Sequence, residues 1–155
     1  MSDTVIQELI DRYIELSFSV HRRGEALVKC QIGSDLTNDQ HYTLRYISKA
    51  GSCTSTELAE EFDVQKSAIT AIINRLWEKG LIKRTRDEND RRVVYLTLTD
   101  KGNELFYQAE ERIYRLVETF ITKFDQSEIK QFIETYEKLN QVLKESKELW
   151  WGNRA

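Results

Sequence analysis

Apolar residues recur every three or four positions through the first part of the chain, a spacing that aligns side chains along one face of an α-helix. This pattern predicts a first helix over residues 3–31. A second helix is predicted after Thr37, because Gln40 three positions later completes a capping box, and Gly51 suits its C-terminal end. A short helix is predicted next, over residues 55–62.

The following apolar repeat predicts a helix that starts near Gln65 and ends at Gly80, with one apolar face formed by Val64, Ala68, Ile69, Ile72, Ile73 and Leu76. The runs LIKRTRD and RRVVYLTLT are rich in β-branched and apolar residues and predict the two strands of a hairpin. Helical spacing returns over residues 99–124, and a last helix begins at Asp125 or Ser127. The predicted fold class is therefore mainly α with a small β-hairpin.

The length of 155 residues fits one domain with its own core. Hydrophobic residues make up 40% and charged residues 32%, a balance that excludes an intrinsically disordered chain. Apolar runs fall well short of the roughly 18–20 residues that cross a bilayer, and the acidic N-terminal helix is unlike a secretory signal. We therefore expect a cytoplasmic protein that does not contact a membrane.

The charge of the chain is unevenly distributed. The net charge is −3, yet residues 64–101 contain nine Lys or Arg against five Asp or Glu, so this segment carries +4 and the remainder −7. A basic segment within an acidic chain is a more specific sign of a polyanionic partner than the overall charge is. The basic segment coincides with the helix near Gln65 and the hairpin after it.

A short helix, a tight turn, a second helix and a basic hairpin, in that order, form the pattern of a winged helix-turn-helix. The second helix of such a pair fits the major groove of B-DNA, where its early exposed residues reach base edges. The candidate DNA contacts on its polar face are Gln65, Lys66, Ser67, Thr70 and Asn74. At the start of the short helix, hydroxyls and free backbone N–H groups are candidate phosphate ligands, carried by Thr54, Ser55 and Thr56. A polar face alone is more simply the solvated side of an amphipathic helix, but the basic hairpin directly downstream favours DNA.

Three stretches match one known family. They are LTNDQHYTLRYI before the motif, STELAEEFDVQKSAITAIINRLWEKGLIKR for the helix-turn-helix, and DENDRRVVYLTLTDKG for the wing and the next helix. The pattern D-x-x-D-R-R, followed by a strand and L-T-x-x-G, is fairly specific. With these motifs, nearly the full chain resembles a MarR-family transcriptional regulator. The resemblance implies one MarR-like domain over 1–155, with dimerisation helices over 1–36 and 99–155 and a winged DNA-binding lobe over 37–98.

The same resemblance implies a homodimer that binds double-stranded DNA and regulates transcription, as a repressor that a small ligand releases. Each wing would place Arg91 in a minor groove, with Asp87 or Asp90 orienting it through an ion pair. Basic residues of the hairpin are candidates for phosphate contacts, namely Arg84, Arg86 and Arg92. Asn89 occupies a wing position that is basic in many relatives, which makes this wing less cationic.

Members of this family often bind a small aromatic or anionic effector between the dimerisation helices and the DNA-binding lobe. The residues expected to line such a cleft are polar or aromatic, namely Tyr13, His21, His41, Arg45, Tyr46 and Arg112. The alternative is that these six are core and interface residues without a ligand. Near the C-terminus, Trp150 and Trp151 are either an anchor on the partner subunit or part of an exposed tail.

Oxidation and metal binding are two other ways in which such regulators are switched. Cys30 and Cys53 are the only cysteines, and neither lies near the start of the first helix, where peroxide-sensing relatives carry theirs. Zinc-responsive relatives use a cysteine at the end of the first helix with ligands on the second and fifth helices. Cys30 and His41 match in place, but the fifth helix has no histidine, so we expect no metal site and no cofactor.

The sequence leaves alternatives to a ligand-released DNA-binding repressor. A winged-helix module that binds proteins instead of DNA is an alternative, which the acidic net charge and Asn89 favour. A regulator that responds to oxidation through Cys30 or Cys53 is another. An enzyme is not expected, because the sequence contains no nucleophile–histidine–acid set, phosphate-binding glycine loop or metal-ligand motif.

Overall fold

The computed structural model describes the backbone of residues 1–151 and the side chains of residues 1–147. Its elements are α1 (Asp3–Ile32), α2 (Asn38–Ala50), α3 (Ser55–Phe62), α4 (Lys66–Glu78), β1 (Ile82–Arg86), β2 (Val94–Leu98), α5 (Asp100–Ile121) and α6 (Gln126–Trp151). The predicted fold class and order of elements are confirmed. The side chains of Trp150 and Trp151 lie outside the described residues, so the two alternatives for them stay open.

Two capping boxes fix the starts of α2 and α3. The Thr37 hydroxyl accepts the Gln40 N–H at 3.1 Å, and the Gln40 side chain accepts the Thr37 N–H at 3.2 Å. At α3, Thr54 and Glu57 make the same reciprocal pair at 3.2 and 2.9 Å. Each box satisfies two N–H groups that the first turn of a helix leaves without an intrahelical partner. The capping box predicted at Thr37 is therefore confirmed.

The core of the lobe forms where α2, α3, α4 and the hairpin meet. Fully buried side chains there include Leu44, Ile47, Leu58, Ile69 and Leu76. The apolar face predicted for the helix at Gln65 is wrong in two positions, since Val64 and Ala68 are exposed. Val64 precedes the first residue of α4, and Ala68 lies about 100° around the helix from buried Ile69.

The hairpin is joined to the loop before α3 through its second strand. β1 pairs antiparallel with β2, with Ile82 opposite Leu98 and Arg84 opposite Leu96. On its other edge, β2 exchanges two backbone hydrogen bonds between Leu96 and Cys53, at 2.7 and 3.2 Å. The loop before α3 therefore adds a short third segment to the sheet and ties the wing to the helix-turn-helix.

The junction between the wing and α5 explains the L-T-x-x-G motif. The Thr99 hydroxyl accepts the Gly102 N–H at 3.0 Å and donates to the Gly80 carbonyl at 2.6 Å, while the Thr99 N–H donates to the Leu81 carbonyl at 3.0 Å. Gly102 packs directly on that carbonyl, because a Cβ at this position would lie 2.0 Å from the Leu81 oxygen. Only glycine permits such a close approach.

The chain divides into two compact units, Met1–Ile113 and Tyr114–Ala155. In the first, the outer part of α1 exposes a row of large apolar side chains, namely Val5, Ile6, Leu9, Ile10, Tyr13, Ile14, Leu16, Phe18 and Val20. In the second, α6 exposes another row, namely Phe132, Ile133, Tyr136, Val142 and Leu143. None of the helices within the described part of the chain is long and apolar enough to span a bilayer.

Candidate nucleic-acid interface

The first turn of α4 presents polar side chains to solvent. Gln65 occupies the N-cap position in an extended backbone conformation, with Lys66 and Ser67 following it, and all three residues are exposed. The N-terminus of a helix carries the positive end of its dipole and its free N–H groups, and Lys66 adds a full positive charge there. This turn is therefore suited to a negatively charged or acceptor-rich surface.

On the polar face of α4, two later residues that were predicted to contact DNA already have hydrogen-bond partners. The Thr70 hydroxyl donates to the Lys66 carbonyl one turn earlier, at 2.8 Å, so its proton is taken while its lone pairs remain. The Asn74 side-chain oxygen accepts from the Arg84 guanidinium at 2.5 Å. The face is thus divided, with a solvent-exposed first turn and a more constrained second and third turn.

The start of α3 departs from what the sequence predicts. Free N–H groups and hydroxyls were expected there for a phosphate, but the capping box already occupies the N–H groups of Thr54 and Glu57. Moreover, the Glu57 carboxylate brings a negative charge to the same helix end. Ser55 and Thr56 keep exposed hydroxyls beside it. The sequence already contains this capping box, since T-S-T-E at residues 54–57 fits the pattern as well as T-N-D-Q at residues 37–40 does.

The tip of the wing is held in shape by Asp87. Its Oδ1 accepts the N–H groups of Asn89 and Asp90, at 2.8 and 3.0 Å, while its own N–H donates to the Val93 carbonyl at 2.9 Å. These backbone hydrogen bonds, from Asn89 first and then Asp90, lower the pKa of Asp87, so the carboxylate is charged at neutral pH. Asp87 therefore builds the turn on which the wing arginines stand.

Asp90 binds Arg92 and not Arg91. Its carboxylate accepts from the Arg92 side chain at 3.1 and 3.2 Å and from the Arg92 N–H at 3.0 Å. The pKa of Asp90 is lowered, first by the Arg92 side chain and then by its N–H. The predicted ion pair between Arg91 and Asp87 or Asp90 is therefore wrong, because the turn points the Asp90 carboxylate at Arg92. Arg91 is exposed at the tip.

The remaining two wing arginines lie in different surroundings. Arg86 reaches along its own hairpin, where it donates to the Arg91 carbonyl at 3.5 Å. Arg84 instead reaches across to α4, where it contacts Asn74 and the Trp77 ring. The structure therefore groups Arg86, Arg91 and Arg92 on the wing, and it separates Arg84 from them.

Of the six residues expected to line an effector cleft, His41 and Arg45 are joined in one ionic cluster. Both bind the Glu110 carboxylate of α5, His41 through Nε2 at 3.2 Å and Arg45 through its guanidinium. His41 is buried, and its Nδ1 has no hydrogen-bond partner among the described residues. Burial, and then the positive charge of Arg45, lower the pKa of His41 to about 4, so the ring is neutral at physiological pH.

The other four residues lie apart from that cluster in their contacts. Tyr46 packs edge-on against Phe62 of α3, with ring centroids 6.1 Å apart. His21 pairs with Glu25 on its own helix at 3.7 Å. The side chains of Tyr13 and Arg112 are exposed. Of the six residues predicted to line an effector cleft, the structure therefore brings only His41 and Arg45 together, against Glu110 of α5.

The two cysteines differ in their accessibility. Cys30 is exposed on α1, and Cys53 is buried where the loop before α3 joins the sheet. Burial, and then the Glu57 carboxylate, raise the pKa of Cys53 to about 11, so its thiol stays protonated and unreactive at neutral pH. Within the described residues, no group of three or more His, Cys, Asp or Glu side chains could hold a metal ion.

Sequence reasoning missed two residues of the interface and its surroundings. Trp77 follows Asn74 by three positions on α4, and this spacing alone could have indicated that the two side chains share a helix face. Glu110 gave no such signal, because its partners His41 and Arg45 lie about 70 residues earlier in the chain. Only the packing of α2 against α5 reveals that cluster.

Comparison with known proteins identifies the family of the chain. The MarR family model matches residues 36–94. The chain is 31% identical over 115 residues to YwhA of Bacillus subtilis, an uncharacterized HTH-type transcriptional regulator, and the match covers 74% of this chain and 83% of YwhA. It is 40% identical over 74 residues to the HTH-type transcriptional repressor MdtR of the same organism, covering 48% of each chain.

The fold comparison agrees with the sequence comparison. The crystal structure of FabT from Streptococcus pneumoniae in complex with DNA superposes with a TM-score of 0.72 at 28% identity, and the match covers 90% of this chain and 98% of FabT. These relatives are transcriptional regulators, which confirms that the chain is not an enzyme. The chain belongs to the MarR family of winged helix-turn-helix transcriptional regulators.

Proposed function

We propose that this chain is a sequence-specific DNA-binding repressor that acts as a homodimer on a pseudo-palindromic operator and is released by a small ligand. The observation that carries this proposal is the pairing of two surfaces in one lobe. One is the exposed, cationic first turn of α4, and the other is a wing whose turn Asp87 holds in place. The name of the relative MdtR supports the sign of regulation, and the solved complex of FabT supports the DNA partner.

In this proposal α4 enters the major groove, where Gln65, Lys66 and Ser67 face base edges and Thr70 accepts a hydrogen bond. Arg91 enters the adjacent minor groove from the wing tip. Arg86 and Arg92 contact phosphates, and the Asp90 carboxylate orients the Arg92 guanidinium through two hydrogen bonds. Ser55 and Thr56, with Thr54, offer hydroxyls to a further phosphate at the start of α3.

The homodimer is supported by apolar surface that the single chain leaves uncovered. Phe18 and Val20 on α1 are 66% and 63% exposed, and Phe132 and Tyr136 on α6 are 55% and 59% exposed. Contiguous rows of such side chains are uncommon on monomeric proteins and typify surfaces that a partner covers. A two-fold pair of lobes would then meet two half-sites about one DNA turn apart.

The effector is supported less directly, by the Glu110 cluster with its buried His41 and by the chemistry of Arg45. A small anion would compete with Glu110 for these groups, so ligand binding would change how α2 packs on α5.

Regulation of transcription also implies that the protein works where the genomic DNA is, so we propose a cytoplasmic location. The domain division into dimerisation helices and a lobe over 37–98 forms part of the same proposal.

The test is binding of the full chain to duplexes selected from a random pool. We expect Arg91→Ala to weaken binding to many sequences, since a minor-groove arginine contributes charge, and Lys66→Ala also to alter base preference at one position of each half-site. Glu88→Gln is the matched control, because it removes an exposed negative charge from the same turn and should maintain or raise the affinity. Unchanged affinity in Arg91→Ala, or equal binding to selected and random duplexes, would count against the proposal.

A further inference from the structure

Arg84 links the wing to α4. It belongs to β1, yet its guanidinium donates to the Asn74 side-chain oxygen at 2.5 Å and lies 5.2 Å from the centroid of the Trp77 ring. Asn74 and Trp77 are three residues apart and therefore share one face of α4. One side chain of the hairpin thus contacts two residues on the same face of the helix, through a hydrogen bond and a cation–π contact.

The strand register explains why Arg84 points at the helix. Side chains alternate along a strand, so Arg84 lies on the same face as buried Ile82 two positions earlier. Its cross-strand neighbour Leu96 is also buried. Arg84 therefore extends the inner, helix-facing side of the hairpin, whereas Lys83 and Thr85 point outward.

The contact also fixes how Asn74 is oriented. A guanidinium has donors and no acceptor, so the amide oxygen of Asn74 must face Arg84, which leaves the amide nitrogen for other partners. Bidentate recognition of adenine requires the oxygen and the nitrogen of an asparagine together. Held in this way, Asn74 offers donors, which suit the acceptors of guanine, the O4 of thymine or a phosphate.

We propose that Arg84 is a positioning residue of the DNA-binding surface, which locks the wing to α4 and turns the Asn74 amide so that it presents donors. This inference rests on the proposed function, and it replaces the expected direct contact of Arg84 with phosphate. The wing and the first turn of α4 then approach DNA as one rigid unit. The energetic advantage is that their relative orientation need not be fixed during binding.

The experiment combines charge-preserving and charge-removing variants of the full chain with a duplex selected by the wild-type protein. Arg84→Lys keeps the charge but loses the planar group that both stacks and donates, whereas Arg84→Met loses both. For a positioning residue we expect both variants to weaken binding roughly tenfold, the size of one lost charge-assisted hydrogen bond. In the Asn74→Ala background, the effect of either variant should shrink.

Arg86 provides the matched control, because it lies two residues further along the same strand. As a proposed phosphate contact, Arg86→Met should lower the slope of log affinity against log salt by about 0.9, and Arg86→Lys should restore most of the affinity. If instead Arg84→Lys binds like wild type, and Arg84→Met is additive with Asn74→Ala, then Arg84 contacts phosphate and the inference is wrong.

A second measurement separates this inference from the proposed function. The same cycle of Arg84→Met and Asn74→Ala is measured on the midpoint of urea unfolding without DNA. A combined loss smaller than the sum of the two single losses supports the contact, even if no duplex binds. Strict additivity overturns it, whereas failure of the wild-type chain to bind any duplex overturns only the proposed function.

Discussion

Replacing Gly102 by alanine tests the junction that attaches the wing to α5. The added Cβ would lie 2.0 Å from the Leu81 carbonyl oxygen and 2.9 Å from its carbon, so α5 and Leu81 must separate by about 1.4 Å to bring the shorter distance to the 3.4 Å of ordinary contact. Overpacking of this kind costs about 1–3 kcal/mol. Displacement of the Leu81 oxygen also strains the hydrogen bond from the Thr99 N–H, which is worth about 1 kcal/mol.

Alanine in a helix gains about 0.5–1 kcal/mol over glycine, which offsets part of that loss. We therefore expect the free energy of unfolding to fall by about 2 kcal/mol and the melting temperature by about 4–8 °C. Urea unfolding measures the free energy and thermal unfolding the melting temperature, both followed by circular dichroism at one fixed protein concentration. Gly24→Ala is the matched control: it lies within α1 with nothing within 4 Å of the new Cβ, and it should raise stability by about 0.5–1 kcal/mol. Equal stabilisation by both variants would refute the close packing at Gly102.

Two further predictions concern titration. His41 has a pKa of about 4 in the folded chain and 6.5 as its ordinary value, so the unfolded chain binds the extra proton between these pH values. The free energy of unfolding should then fall by up to about 3 kcal/mol as the pH drops from 6.5 to 4. Urea titrations across this range should show a smaller fall in His41→Gln than in the wild-type chain, whereas equal falls in the two chains would contradict it. The buried Cys53, with its raised pKa, should react with a thiol reagent at pH 7.5 only on unfolding, and exposed Cys30 at once; rapid labelling of native Cys30→Ala would contradict this.

The features that the sequence predicts correctly are local ones. The capping box at Thr37 fixes a helix start from residues three apart, and the hairpin follows from two β-rich runs on either side of a polar turn. The candidate wing follows from the same local pattern, because the Asp87 carboxylate builds the turn by accepting the N–H groups of Asn89 and Asp90, two and three positions later. Such interactions depend on spacing alone and can therefore be found without a structure.

The sequence does not reveal which of several possible partners a charged side chain binds. Several arginines and two aspartates crowd the wing, and the sequence cannot say that Asp90 takes Arg92 or that Arg84 turns to the helix. Those outcomes depend on strand register and on the course of the turn. The Glu110 cluster is hidden for a related reason, since its members come from helices that are far apart in the chain.

Selection of duplexes from a random pool by the wild-type chain, followed by affinity measurements at several salt concentrations, tests the central claim most directly. We expect one pseudo-palindrome to be enriched, with half-site centres about 10 base pairs apart, and binding that weakens steeply with salt because several phosphates are contacted. A chain that leaves every duplex unbound at low salt, or that binds selected and random duplexes equally, would contradict a sequence-specific regulator.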